Sequence, residues 1–83
     1  MTKYLVDIYL PAAGEHYDAY LPSGKMIGEA TSLLKKIAET VSNGNYQGTA
    51  DSILINAESG EAYDPNITVF DAGIRNSTKL ILI

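Results

Sequence analysis

The sequence has no cysteine and only one histidine among its 83 residues. Without cysteine the chain forms no disulfide, no thiolate metal site and no iron–sulfur cluster, and it has no thiol nucleophile. Small secreted domains often depend on disulfides, so the absence of cysteine favours the cytoplasm as the location. We therefore expect a cytoplasmic protein without a metal or other cofactor.

Basic residues are also few, with six Lys and Arg against ten Asp and Glu and a formal net charge of −4. Nucleic-acid binding requires clustered Lys and Arg, whereas here only Lys35 and Lys36 are adjacent. No apolar run approaches the ~20 residues of a membrane span. Asp7 interrupts the N-terminal region where a signal peptide needs a long apolar run. Nucleic acid and direct membrane insertion are therefore not expected.

The composition that remains is that of a globular domain. Hydrophobic residues make up 46% of the chain and charged residues 19%, which separates it from disordered sequences. The length predicts a single domain over residues 1–83. A domain of this size builds one core but has little volume left for a deep active site. Binding is therefore expected rather than catalysis.

The first half of the chain predicts a β-hairpin followed by a helix. Alternating apolar residues indicate strands over residues 3–10 and 16–21, joined by a turn that contains Pro11 and Gly14. Spacings of three and four then predict a helix, with Ser23 as a possible N-cap and Asn43-Gly44 as its end. The helix should bury one apolar stripe. This stripe consists of Ile27, Ala30, Leu34, Ile37 and Val41, widened by Leu33.

The second half predicts short strands over residues 52–56, 61–63 and 79–83, with a helical turn over residues 69–72. The element order is therefore β-β-α-β-β-β. A single amphipathic helix must cover one face of the sheet, and the first and last strands should lie parallel at its centre. This arrangement is an α+β fold of the β-grasp type, with a mixed four- to five-stranded sheet and one helix packed across one face.

No residue pattern predicts catalysis or metal binding. His16 has Glu15 and Asp18 nearby in the sequence. A single imidazole without cysteine makes a weak metal or acid–base site. We therefore interpret His16 as a solvated residue at the edge of the hairpin. Four carboxylates lack the spacing of a calcium loop and are expected to form a solvated rim. They are Asp51, Glu58, Glu61 and Asp64.

The more informative feature is apolar, because the helix can cover only one face of the sheet. Strand alternation predicts an inward set made of Tyr4, Val6, Ile8, Leu10, Ile53, Ile55, Leu80 and Leu82. It predicts an outward set made of Leu5, Tyr9, Leu54, Ile81 and Ile83. With the last strand between the first and third, the outward set should form one patch, and exposed apolar patches often bind proteins. The competing interpretations are scattered surface hydrophobes or dimer contacts made only in a crystal, whereas a homodimer in solution would be a functional contact.

The C-terminal third resembles the ubiquitin superfamily. The matching runs are Leu54-Ile55-Asn56-Ala57, the turn over residues 58–60, Thr68-Val69-Phe70-Asp71-Ala72-Gly73-Ile74 and Thr78-Lys79-Leu80-Ile81-Leu82. Within the superfamily the chain is most similar to the EsaB/YukD-type proteins of Gram-positive bacteria, which are encoded with type VII (ESX-like) secretion systems. The resemblance implies a non-catalytic accessory or regulatory component of such a system that acts through protein–protein contacts.

The sequence departs from ubiquitin where it ends, because Leu82-Ile83 is not followed by Gly-Gly. Ubiquitin and the sulfur carriers act through that glycine tail, so conjugation and sulfur carriage are not expected. Two other functions remain open. One is a small β-grasp effector subunit of a multicomponent oxygenase, and the other is a β-grasp binding domain displayed outside the cell, which the missing signal sequence disfavours.

Overall fold

The computed structural model describes residues 2–83. These residues form four strands and one helix: β1 (Lys3–Leu10), β2 (Glu15–Pro22), α1 (Ile27–Val41), β3 (Leu54–Asn56) and β4 (Lys79–Leu82). The strand order across the sheet is β2-β1-β4-β3. β1 is antiparallel to β2 and parallel to β4, while β3 is antiparallel to β4. The predicted α+β fold, with one helix on a mixed sheet, is confirmed.

The β1–β2 hairpin fixes the register of half of the sheet. The backbone N–H groups of Ala13 and Gly14 donate to the Leu10 carbonyl at 3.1 and 2.8 Å. Gly14 has φ +62°, which glycine adopts without steric cost. The turn therefore closes the ladder at the pair Leu10 and Glu15.

One apolar core lies between the sheet and α1. It draws on all four strands, the helix, the loop between α1 and β3, and the irregular segment between β3 and β4. Its buried members are Val6, Ile8, Leu10, Ala19, Leu21, Ile27, Ala30, Leu34, Ala38, Tyr46, Leu54, Val69, Ile74, Leu80 and Leu82. Burying a side chain of Leu or Ile size stabilises the fold by roughly 1.5–3 kcal/mol, so this set is the main source of stability.

The start of α1 is capped by backbone rather than by a side chain. The N–H groups of Ile27 and Gly28 donate to the carbonyls of Ile67 and Pro65 at 2.8 and 3.0 Å. The prediction of Ser23 as N-cap was wrong, because the helix begins at Ile27 and has no side-chain cap. The close approach also explains the glycine, since a Cβ at position 28 would lie 3.3 Å from the Pro65 carbonyl oxygen.

The end of α1 agrees with the prediction. Asn43 and Gly44 have φ values of +53° and +82°. The Gly44 N–H donates to the Glu39 carbonyl at 3.0 Å, which satisfies one of the free carbonyls of the last turn. The Asn-Gly pair therefore ends the helix.

The buried stripe of α1 is narrower than predicted. Its buried residues are Ile27, Ala30, Thr31, Leu34 and Ala38. Leu33 and Val41, predicted to face the core, are 43% and 46% exposed. Each residue turns the helix by about 100°, so Leu33 lies on the flank beside the buried Leu34. Near the end of the helix the small side chain of Ala38 packs against the core, and the larger Val41 does not.

The region after α1 contains less strand than predicted. β3 begins at Leu54, and the strand predicted over residues 61–63 is reduced to one bridge between Ile55 and Ala62. The sheet therefore has four strands. Residues 69–72 form the predicted turn, in which the Ala72 N–H donates to the Thr68 carbonyl at 3.0 Å.

Candidate protein-binding surface

The register of β3 inverts the predicted orientation of that strand. Leu54 lies opposite Leu82, and Ile55 lies opposite Ile81. Residues directly opposite in an antiparallel pair share a face. Leu82 is buried, so Leu54 is buried with it and is only 2% exposed. Placing Leu54 on the outward face was therefore wrong, and so was placing Ile53 and Ile55 on the inward face.

The face of the sheet that α1 does not cover carries a contiguous apolar surface, which we call the open-face patch. It consists of Tyr9, Ile53, Ile55, Ile81 and Ile83. Ile81 lies between Tyr9 on β1 and Ile55 on β3, directly opposite both. Ile53 and Ile83 exchange two backbone hydrogen bonds of 3.1 and 3.2 Å beside this row. Their side chains are 41% and 50% exposed.

A polar row crosses the same face next to the open-face patch. Asp7 lies opposite Asp18 on β2 and opposite Lys79 on β4. His16 Nδ1 lies 3.1 Å from Asp7 Oδ1, and its ring contacts the Tyr9 ring at 4.6 Å between centroids. His16 therefore joins β2 to Asp7 on this face through a side-chain contact.

The polar row separates Leu5 from the rest of the predicted patch. Leu5 lies beyond Asp7 on β1 and pairs with Tyr20, and the two side chains are 38% and 63% exposed. The structure thus brings Tyr9, Ile81 and Ile83 together as predicted but places Leu5 at the other end of the face.

A shallow groove of about 290 Å³ lies between α1 and β3. Its lining includes Gly28, Thr31, Lys35 and Tyr63. The Thr31 hydroxyl and the Lys35 ammonium already donate to backbone carbonyls at 2.8 and 2.9 Å. The structure therefore engages the Thr31 hydroxyl and the Lys35 ammonium in contacts within the protein.

Two tyrosines have perturbed ionisation, and both serve packing. Burial, with a smaller contribution from Tyr46, raises the pKa of Tyr17 far above its usual value of 10.0. The Tyr17 hydroxyl donates to the Leu34 carbonyl at 2.9 Å and so joins β2 to α1. Burial also raises the pKa of Tyr63. Both phenols stay protonated at neutral pH, so neither supplies a base.

The described residues contain neither a ligand cluster nor a membrane-spanning helix. Across residues 2–83, no three His, Cys, Asp or Glu side chains converge in a way that would hold a metal ion. Over the same residues no helix combines the length and apolar character that a membrane crossing needs.

Comparison with known proteins identifies the fold. No protein-family model and no curated protein matches the sequence. The EccD5 ubiquitin-like domain from Mycobacterium xenopi matches all of this chain and 94% of that chain, with a TM-score of 0.83 and 17% identity. The ubiquitin-like domain of the Mycobacterium tuberculosis type VII secretion system protein EccD1 is also similar. The match covers 100% of this chain and 99% of that chain, with a TM-score of 0.66 and 16% identity.

A third similar structure is a chain of the toluene 4-monooxygenase HD complex with the inhibitor 4-bromobenzoate. It matches 98% of this chain and 96% of that chain, with a TM-score of 0.77 and 10% identity. At these identities the likeness concerns the fold. The strand order, the single helix and these matches together show that the chain has the ubiquitin-like β-grasp fold.

Proposed function

We propose that this chain is a non-catalytic, ubiquitin-like protein-binding module that contacts its partner through the open-face patch. The observation that carries the proposal is the row of Tyr9, Ile81 and Ile55, flanked by Ile53 and Ile83, on a face that α1 leaves uncovered. Exposed apolar surface with a polar border is typical of protein contact sites. Covering a half-exposed isoleucine contributes about 1 kcal/mol, so these residues supply useful affinity together.

We further propose that the module is a cytoplasmic accessory or regulatory component of a type VII (ESX-like) secretion system. Two similar structures support this context, since both are ubiquitin-like domains of EccD proteins and EccD1 is a type VII secretion protein. The resemblance to EsaB/YukD-type proteins points the same way. Its partner would be another component or regulator of that system. Genes for WXG-type substrates and an FtsK/SpoIIIE-type ATPase beside its own gene would strengthen the assignment.

The direct test measures binding to the components encoded with the chain. Ile53→Asp and Ile83→Asp place a charge in the open-face patch at positions that are already 41% and 50% exposed. Leu33→Asp is the matched control, because Leu33 is 43% exposed but lies on α1. We expect each patch variant to weaken binding about tenfold, which corresponds to about 1.4 kcal/mol, and the control to bind as the wild type does.

Circular dichroism should show the same melting profile for the control and the patch variants, so that loss of binding is not loss of fold. If Ile53→Asp and Ile83→Asp bind as tightly as the wild type, the open-face patch is not the contact surface. If they weaken self-association measured by sedimentation instead, the patch is a homodimer contact.

A second candidate is a small β-grasp subunit of a multicomponent enzyme. The likeness to the chain of the toluene 4-monooxygenase complex, which extends over 96% of that chain, favours this candidate over a β-grasp domain displayed outside the cell. Co-purification with a large oxygenase, lost in Ile53→Asp and kept in Leu33→Asp, would support this candidate. Co-purification with secretion-system components would support the first.

A further inference from the structure

An aromatic cluster around Arg75 lies at the opposite end of the sheet from the open-face patch. The Arg75 guanidinium carbon is 4.0 Å from the centre of the Phe70 ring and 5.4 Å from that of Tyr4. The turn that carries Arg75 is tied to the Leu5 end of β1, where Asn76 Oδ1 accepts from the Leu5 N–H at 2.9 Å. The cluster is thus separate from the patch in the proposal above.

Backbone hydrogen bonds hold the guanidinium in one orientation. Arg75 Nη1 donates to the carbonyls of Phe70 and Ile74 at 3.1 and 2.7 Å. These two bonds use both protons of Nη1. Within residues 2–83, neither Nε nor Nη2 of Arg75 donates to a protein atom, and no carboxylate lies within ion-pair distance of this side chain.

The unengaged edge has the geometry that a carboxylate needs. A guanidinium binds a carboxylate through two parallel N–H groups, and the Nε–Nη2 edge is one such pair. Rings and carbonyls already fix the side chain of Arg75, so binding costs little additional rotamer entropy. The Phe70 ring beside it is 52% exposed and offers an apolar surface to a neighbouring residue.

We propose that Arg75 and Phe70 form a second binding site, which takes a carboxylate of a protein partner with an apolar side chain next to it. The carboxylate would bind the Nε–Nη2 edge, and the apolar group would pack on the exposed part of the Phe70 ring. Arginine and aromatic residues are enriched among interface positions that carry most of the binding energy. The site goes beyond the open-face patch and does not depend on it.

A purely structural role for Arg75 makes a different prediction. If the side chain only joined the turn to β1, the Nη1 hydrogen bonds and the ring contacts would complete its function. The Nε–Hε resonance of Arg75 would then shift equally when a carboxylate or a neutral amide of the same shape is added. A comparison of matched ligands on the wild-type protein therefore separates the two roles without any substitution.

The experiment follows the Nε–Hε resonance of Arg75 by NMR, and this signal is unambiguous because the sequence contains one arginine. The probes are three acetylated dipeptides: acetyl-Leu-Glu-amide, its neutral analogue acetyl-Leu-Gln-amide, and acetyl-Leu-Gln with a free C-terminal carboxylate. We expect a carboxylate probe to bind about tenfold more tightly than the neutral analogue, as a charge-assisted pair requires. The two charged probes distinguish a side-chain carboxylate from a chain terminus.

The variants locate the site. Arg75→Lys keeps the charge but removes the parallel N–H groups of Nε and Nη2. Phe70→Leu removes the aromatic ring. Both variants should therefore show smaller backbone chemical-shift changes when the preferred charged probe is added. Lys36→Gln, which removes one exposed charge from α1, is the matched control and should leave them unchanged. Equal responses to charged and neutral probes in the wild type, or no response to either, would overturn the proposal.

Discussion

Leu54 and Ile55 are neighbours in one short strand, yet they have opposite surroundings. Leu54 faces α1 beside Leu82 and is 2% exposed, whereas Ile55 lies on the uncovered face beside Ile81. The two side chains have the same composition, so hydrophobicity alone does not decide which of them is buried. The pairing register with β4 decides it, and the same register leaves apolar residues available for contact.

The largest effect that this contrast predicts is on stability. Leu54→Ala should lower the free energy of unfolding by about 2–5 kcal/mol, because it removes a buried side chain and leaves a cavity. Ile55→Ala should cost less than about 1.5 kcal/mol, since that side chain is only partly buried. Urea unfolding of both variants measures the difference. A larger loss in Ile55→Ala would mean that the register of β3 is shifted by one residue.

The contrast also explains what the sequence alone could predict. In β1 the charged Asp7 lies between Val6 and Ile8. Alternation therefore predicts that Val6 and Ile8 face the core, and both are buried. In β3 the run Ile53-Leu54-Ile55 is apolar at every position and carries no such information. Its orientation is set by a partner strand more than twenty residues later, which local pattern does not reveal.

The candidate surfaces show the same division. Tyr9, Ile81 and Ile83 were correctly placed on the open face because one charged residue in each strand, Asp7 in β1 and Lys79 in β4, marks the outward side. The contact between Phe70 and Arg75 was not predicted, since these residues lie in an irregular segment without a period of two or 3.6. Only the fold of the turn that precedes β4 brings their side chains together.

A second test compares the two faces of β2 through their tyrosines. Tyr17 faces α1 and donates to the Leu34 carbonyl, whereas Tyr20 is 63% exposed on the open face. Tyr17→Phe should lower the free energy of unfolding by about 1 kcal/mol at neutral pH. Tyr20→Phe should change it by less than about 0.5 kcal/mol, as expected of an exposed site.

The two variants should differ in their pH dependence as well. Burial raises the pKa of Tyr17 above its value of 10.0 in the unfolded chain, so the folded state holds its proton more tightly. The resulting stability is fully present below pH 10 and is lost as the pH rises from there towards the folded-state pKa. Tyr17→Phe should therefore lose less stability than the wild type above pH 10 in urea titrations. If the free energy of unfolding of Tyr17→Phe and of the wild type falls equally above pH 10, burial does not raise the pKa of Tyr17.

The smallest effect concerns the polar row, where Asp18 faces Asp7 across the strands. The Asp7 N–H donates to the Thr78 carbonyl on the β4 side at 3.0 Å. The pair of Asp7 with Asp18 is therefore of the non-hydrogen-bonded kind, in which side chains lie closest. Facing like charges destabilise a sheet, so Asp18→Asn should raise the free energy of unfolding by about 0.2–1 kcal/mol.

Added salt should reduce this gain because it screens exposed charges. Asp71→Asn, at an exposed turn position, should show no comparable gain. If Asp18→Asn destabilises the protein instead, repulsion between Asp7 and Asp18 does not determine the stability of this pair.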